Sequence, residues 1–271
     1  MGTDIKIGDS AFLVNESRSR NVELSHDRFA HLWVTERTRE LWKKMEQSVY
    51  PHDAIELGIR NRFFLERLQN AIDKEGISTF VNLGAGFTSY PFLIKGECHC
   101  IEVDLPHIIE FKKEQVIRWQ EQGRVPMRPI EFIPCDLNSS FELENLKVKI
   151  SKNSKPSFLL LEGLTYYLDP KSLQRIFSFA LEIQGLGSFL TFDFWKPELV
   201  EHSVLNKFKK FLAEEIGYKP PQYNHFELPR LPGYELIEIS DVVREEFKYN
   251  KQPVLSNETA ILDSFAVLKR M

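Results

Sequence analysis

Two different spacings of apolar residues divide the chain near Gly76. Residues 1 to 24 are polar and follow no clear period, so they read as an arm that orders only where it docks on the body. From Ser25 to about Val49, the residues Phe29, Leu32, Trp33, Leu41, Trp42 and Met45 recur at helical spacing, with Ser25 as the expected N-cap. A second helix is expected from Asp53 to about Lys74. Its apolar face carries Ile55, Ile59, Phe63, Phe64, Leu68 and Ile72, and Gly76 is its stop signal.

Beyond Gly76 the pattern changes to short apolar runs separated by helical segments, as in a parallel sheet covered on both faces. Strands are expected at Thr79–Leu83, Glu97–Val103, Ile130–Pro134, Ser157–Leu161 and Ser188–Phe194. Helices are expected at Thr88–Ile94, Pro106–Gln122, Phe141–Ser151 and Pro170–Gln184, with Pro106 and Pro170 suited to first turns. After Pro197 a helix should carry Val200, Val204, Phe208 and Leu212, followed by a proline-punctuated loop from Lys219 to Gly233. Two last apolar runs, Tyr234–Ile239 and Ser264–Leu268, complete the sheet, with an exposed loop expected from Phe247 to Glu258.

The motifs lie at the joints of this pattern. Val81-Asn82-Leu83-Gly84-Ala85-Gly86 is a strand running into a tight turn, where Gly84 and Gly86 let the backbone approach a ligand and the next helix offers its first amides. A carboxylate, Asp104, ends the next strand about twenty residues on, where it can accept hydrogen bonds from both hydroxyls of a ribose. Glu102 falls on the same face; both acids could equally face solvent or pair with a nearby lysine. A dinucleotide fingerprint would place its third glycine where Ser89 stands, which argues against pyrophosphate binding.

Asp136 and Leu137 follow the third strand, in place to hold the amine of an adenine and cover its ring; Asp136 could instead cap the helix near Phe141. Glu162, at the end of the fourth strand, can hold a cationic group such as an α-ammonium, with Arg60 and the glycine turn holding the accompanying carboxylate. Plain surface charge is the alternative for Arg60. Tyr166 and Tyr167 read as core aromatics or as pocket walls.

Composition narrows the class. A net charge of -4, with 42% hydrophobic and 27% charged residues over 271 positions, gives no global electrostatic case for nucleic-acid or membrane binding. No run approaches the about eighteen apolar residues of a membrane span, and no cationic head and apolar stretch opens the chain, so a cytoplasmic protein is expected. Lys6 occupies the position where a myristoylation signal needs a hydroxyl residue. The three cysteines, Cys98, Cys100 and Cys135, suit buried thiols, and no second ligand pair follows Cys98-His99-Cys100, so no metal is expected. Neither repeats nor low-complexity segments are visible, and one domain spanning 1–271 is expected.

Taken together, Phe80 to Gly86, Ile101 to Pro106, Cys135-Asp136-Leu137 and Glu162 to Leu168 resemble the leucine carboxyl methyltransferase family, which includes the tetracenomycin-type polyketide carboxyl methyltransferases. The resemblance runs from about Arg60 to Phe194. It implies a class I methyltransferase fold: an α/β Rossmann-like doubly wound sheet, mostly parallel with an antiparallel last strand. Residues 1–75 would form a helical lid, 76–196 the nucleotide-binding core, and 197–271 a C-terminal part with a substrate loop.

The implied cofactor is S-adenosylmethionine, leaving as S-adenosylhomocysteine. By the same resemblance Arg60 binds the methionine carboxylate, Gly84 and Gly86 flank the methionine, Asp104 holds the ribose, Asp136 and Leu137 the adenine, and Glu162 the methionine end. Tyr167 is the implied catalytic residue near the acceptor, and Arg37 the candidate for the family's N-terminal basic residue. The implied reaction is in-line methyl transfer, with a small-molecule carboxylic acid as the expected acceptor. Because a carboxylate is already ionised at neutral pH, such a reaction needs no strong base, and alignment supplies most of the barrier reduction.

A protein C-terminal carboxylate, a non-catalytic S-adenosylmethionine-binding role and a nicotinamide-dependent oxidoreductase are the rival readings. The helices before residue 75 and the loop at 219–232 are expected to cover the acceptor, on the strength of Trp33, Trp42, Tyr218, Tyr223 and Phe226; core packing is the alternative for the tryptophans.

Overall fold

A computed structural model describes residues 9–150, 156–217 and 223–271. The expectations placed on residues 1–8, on Ser151, on Tyr218 and on Lys219-Pro220-Pro221 lie outside these. Five strands, β1 (Thr79–Leu83), β2 (His99–Asp104), β3 (Ile130–Pro134), β4 (Ser157–Leu161) and β5 (Phe189–Phe194), run parallel. They are followed by β6 (Tyr234–Asp241) and β7 (Ser264–Arg270), and the sheet order is β3-β2-β1-β4-β5-β7-β6. Strand β7 is antiparallel to both neighbours, so the doubly wound sheet with an antiparallel last strand is present as expected. The strand order reverses between β1 and β4, which opens a ligand crevice beyond their carboxyl ends, where Gly84 and Glu162 stand.

Helices cover both faces because the central strands are apolar on both sides; β1 and β4 are buried at every position. Leu143 and Leu146 of α7 (Ser140–Ile150), with Leu173, Ile176 and Phe177 of α8 (Pro170–Ile183), pack on one face. Ile59, Phe63, Phe64 and Leu68 of α4 (Asp53–Glu75) pack on the other, with Val242 of α10 (Val242–Tyr249). Helix α4 follows its predicted span, and Gly76 ends it in the left-handed conformation that favours glycine. Helix α6 (Pro106–Glu121) also follows prediction, whereas the expected helix at Thr88–Ile94 shrinks to the single turn α5 (Tyr90–Leu93).

Three expectations need correction. The helix expected from Ser25 is broken into α2 (Val22–Ser25), a 3-10 turn at Ala30–Trp33 and α3 (Glu36–Ser48), because His26 takes a left-handed conformation; the caps are Asn21 and Thr35, not Ser25. The loop expected from Phe247 begins inside α10, which Asp241 caps by accepting the amide of Arg244. The polar arm is ordered from residue 9 onward as α1 (Asp9–Arg20), docked against α3 and α4. Its Phe12 stacks on Phe87, with ring centroids 4.3 Å apart, and its Asn15, Glu16, Ser17 and Arg18 are buried.

Helix α9 (Ser203–Phe211) continues through a π-helical turn at Leu212–Ile216. Trp33 and Trp42 are buried in apolar clusters, as core packing requires. Phe226 packs on the core, where its amide donates to the Trp195 carbonyl. The three cysteines are free. Among the described residues no helix is long and apolar enough to cross a membrane, and no cluster of His, Cys, Asp or Glu could hold a metal ion.

Candidate functional site

The carboxyl ends of β1 and β4 and the inner face of α1 enclose a cleft lined by Ala11, Asn15 and Arg18, by Gly84 to Thr88, and by Arg60, Glu162, Tyr166 and Tyr167. Both turn glycines have positive φ, +69° at Gly84 and +43° at Gly86, so a side chain at either would be strained. A Cβ at 84 would also stand 3.0 Å from the Leu164 side chain, and one at 86 would stand 3.6 Å from Ala11 of α1. Helix α1 therefore lies directly across the turn.

Asp104 closes the turn from below. Its carboxylate accepts the amides of Gly86 and Leu105, both at 2.7 Å. Burial nonetheless pushes its pKa up, against those amides and Lys112. Glu102 takes the lysine-paired alternative: it is fully buried, 2.8 Å from Lys112 Nζ, which also reaches the Ala85 carbonyl. That lysine braces the glycine turn from α6.

Charge is concentrated on the β4 side. Glu162 Oε1 pairs with Arg18 and, at 3.0 Å, with Arg60 Nε, while Oε2 accepts the Tyr90 hydroxyl at 2.6 Å. Burial alone would raise the Glu162 pKa, but the two guanidiniums and Tyr90 outweigh it and hold the carboxyl below its ordinary value. Arg60 is not surface charge. Its Nη1 lies 3.0 Å from Asp263, 3.2 Å from Asp193 and 3.0 Å from the Tyr166 hydroxyl.

Asp193 accepts the amide of Gly163 and is lifted well above the usual carboxylate range, first by burial. Arg18 differs from Arg60: at 1% exposure its Nε and Nη1 carry no hydrogen bond, although the residue lines the cleft. Among the described residues Asp27, fully buried with its Oδ2 unpartnered, is near enough for its charge to be felt by Arg18, and the free guanidinium donors can take an anion that enters the cleft.

Past Tyr166 and Tyr167 the cleft continues into a chamber of about 40 Å³ between α1, α3, α4 and α9. Leu13, Met45, Trp195, Phe208 and Ile261 are among its walls, and Tyr166 stacks on Trp195 at 4.0 Å. Tyr50, Asp53, Glu56, Arg60 and Asp263 bring its polar groups. Glu56 accepts the amides of Ile261 and Leu262 and the hydroxyl of Tyr50, each at 2.9 Å, and so anchors the approach to β7. Burial pushes Asp53 up to about 6, and burial together with Asp263 pushes Glu56 up to about 8.

Groups whose pKa is raised by folding contribute stability that is complete below their unfolded pKa and lost as pH rises through the folded value. Thermal stability should therefore fall as pH climbs from about 4 to about 8, by about 1.4 kcal/mol for each unit of displacement. Glu162 acts oppositely, its contribution disappearing only in acid. Thermal unfolding at constant ionic strength across this range, for the protein and for Asp53→Asn, checks the assignment. The variant should have a shallower slope between about pH 4 and pH 6, where Glu56 still contributes, and an unchanged slope above it, and a flat profile in the parent protein would contradict the assignment.

Of the residues singled out in the sequence, Arg60, Gly84, Gly86, Glu162 and Tyr167 line one cleft, and Asp104 touches it through Gly86. Asp136 and Leu137 stand apart at the end of β3. Asp136 closes its own turn by accepting the Asn138 amide, Leu137 packs into the core, and Ser139 rather than Asp136 receives the Glu142 amide at the start of α7. Arg37 is exposed on α3, and the N-terminal cation that reaches Glu162 is Arg18. Arg18, Asp193 and Asp263 had gone unnoticed. Only Asp193 left a signal, a lone carboxylate within the apolar run Phe189 to Phe194.

The leucine carboxyl methyltransferase family model matches residues 10–181. A protein of Mycobacterium ulcerans named as a candidate S-adenosyl-L-methionine-dependent methyltransferase is 27% identical over 150 residues, covering 55% of this chain and 47% of its own length. The chain thus spans about half the length of the first curated relatives it matches. A solved structure from Thermobifida fusca, named as a candidate methyltransferase, superposes with a TM-score of 0.68 at 14% identity, covering 98% of this chain and 96% of that one. A DUF574 family protein from Streptomyces avermitilis does so with a TM-score of 0.63 at 14% identity, over 94% and 97% of the two chains. At that identity the likeness is one of fold.

Proposed function

Because the chain belongs to the leucine carboxyl methyltransferase family, we propose that it transfers a methyl group from S-adenosylmethionine to a small molecule that reaches the cleft at Tyr166 and Tyr167. The observation that carries this reading is the buried Arg18, which lines one cleft with the glycine turn and Glu162 and whose Nε and Nη1 carry no hydrogen bond. An amino acid needs such a pair, a guanidinium for its carboxylate and a carboxylate for its ammonium. Arg60 was the residue expected to hold the methionine carboxylate, but its Nε and Nη1 are engaged by Glu162, Asp193 and Asp263, so we assign the carboxylate to Arg18 and give Arg60 the task of holding the acids in place.

In this reading Gly84 and Gly86 admit the methionine chain and Asp104 offers its remaining lone pairs to the ribose. Asp136 and Leu137 border the adenine, and Tyr167 stands between cleft and chamber. The cofactor supplies an activated methyl on a sulfonium. The chain's part is to align it, exclude water and keep α1 closed across the turn. Residues 1–75 act as the lid, 76–196 as the nucleotide-binding core and 197–271 as the part that completes the acceptor wall.

S-Adenosylhomocysteine at about a hundred times its Kd should add about 2.7 kcal/mol of stability, a rise of several degrees in Tm, while NAD should add none. The absence of any shift at millimolar S-adenosylmethionine or S-adenosylhomocysteine would overturn the reading. A purely regulatory binder would show the shift but would release no S-adenosylhomocysteine with any acceptor.

A further inference from the structure

The peptide between Ala85 and Gly86 lines the cleft, and its two ends meet opposite charges. Its N–H, that of Gly86, donates to the Asp104 carboxylate at 2.7 Å, while its carbonyl, that of Ala85, lies 3.4 Å from Lys112 Nζ. Lys112 comes from α6 and is 1% exposed. Its ammonium stands 2.8 Å from Glu102, which is fully buried on β2 two residues before Asp104. Burial lowers the Lys112 pKa and raises that of Glu102, and each opposes the shift in the other. The peptide dipole thus has an ammonium at its oxygen and a carboxylate at its amide, the alignment that electrostatics favours.

Local backbone preference does not fix this alignment. Gly86 sits at φ +43°, and a glycine adopts the opposite sign of φ about as readily, so the peptide is free to turn over. Turned over, it would aim the Ala85 carbonyl at Asp104, whose ionised carboxylate can only accept, and would withdraw the Gly86 amide. Three donors hold the carbonyl where it is: the Thr88 amide at 3.1 Å, the Thr88 hydroxyl at 3.0 Å and Lys112. Of these Lys112 is the charged one, and the one that ties the turn to β2 through Glu102.

We propose that Lys112 is a positioning residue for the cofactor: it selects the orientation of the Ala85–Gly86 peptide that holds Asp104 in place to receive the ribose hydroxyls. The inference rests on the methyltransferase reading above and adds to it a residue buried beneath the turn. Asp104 keeps its second lone pairs for the ribose only while the Gly86 and Leu105 amides fix the carboxylate plane, each at 2.7 Å. Lys112 acts on the first of these amides through the peptide they share, so its loss should be felt at the ribose.

The test makes two measurements on the full chain. In the unliganded protein the Gly86 amide proton, bonded to a carboxylate, should resonate downfield, and in Lys112→Met it should move upfield. Calorimetry then compares S-adenosylhomocysteine with its 2′,3′-dideoxy analogue, which lacks both ribose hydroxyls. In the parent protein the hydroxyls should strengthen binding by at least about tenfold, as hydrogen bonds to a carboxylate do. In Lys112→Met, held below its Tm, that increment should shrink to about threefold or less. Glu102→Gln combined with Lys112→Met strands no buried charge, so it repeats both measurements should the single variant not fold, and it should lose the increment too. A parent-like Gly86 resonance or a parent-like increment in a folded variant overturns the proposal, as does a parent protein that binds both ligands equally. Failure of the parent protein to bind S-adenosylhomocysteine would instead remove the reading on which the proposal rests, while the Gly86 resonance would still report on the peptide.

Discussion

Replacing Arg60 by Met should destabilise the protein by about 3–5 kcal/mol, the expected cost of removing one partner from a buried charge cluster. Arg60 is 4% exposed and stands among Glu162, Asp193 and Asp263, which come from the ends of β4 and β5 and the start of the last strand's approach. Without it Asp193 and Asp263 keep only neutral donors, the Gly163 amide and the Trp195 indole. Each must then take up a proton or remain an uncompensated charge.

Against a total stability of about 5–15 kcal/mol, such a loss is large enough to read from urea unfolding at neutral pH. Adding Asp263→Asn to Arg60→Met removes one of the stranded charges and should recover part of the loss, which separates charge from packing as the cause. A cost below about 1 kcal/mol for Arg60→Met would show that the cluster is already protonated and held together without the guanidinium.

This cluster also shows what a sequence can and cannot reveal. Helix α4 was legible because its apolar residues repeat at helical spacing for about six turns and Gly76 ends it. The strands were legible because β1 and β4 are short, largely apolar runs, and the residues at the ends of β1, β2 and β4, Gly84, Gly86, Asp104 and Glu162, became site candidates by position alone. Helix α1 gave no such signal. What it buries is largely polar, Asn15, Glu16, Ser17 and Arg18, and its docking depends on Ser17 meeting Asp53 and Arg18 meeting Glu162, partners separated by 36 and 144 residues.

Asp53, Glu56 and Asp263 were hidden for the same reason. Near the start of an amphipathic helix a carboxylate reads as first-turn chemistry, and only the fold turns Asp53 towards Ser17 of α1 and Glu56 towards the loop before β7. Periodicity reports burial of apolar faces, whereas pairing of distant charges leaves no period. The site's glycines were therefore readable and its electrostatics were not.

The free donors of Arg18 lead to the other large effect. Arg18→Met should weaken S-adenosylhomocysteine binding by about tenfold to a hundredfold, as expected when one or two charge-assisted hydrogen bonds worth about 1.5–3 kcal/mol are lost. Its effect on stability should be smaller than that of Arg60→Met, because Glu162 keeps Arg60 Nε at 3.0 Å and the Tyr90 hydroxyl at 2.6 Å. Affinity is to be measured by calorimetry well below the variant's Tm, so that a loosened α1 does not masquerade as a lost contact. Arg18→Lys restores the charge but not the planar fork, and should recover only part of the affinity. If Arg18→Met binds the ligand as tightly as the parent protein while Arg60→Asn, also below its Tm, abolishes binding, then Arg60 leaves its acids to hold the carboxylate and the assignment to Arg18 fails.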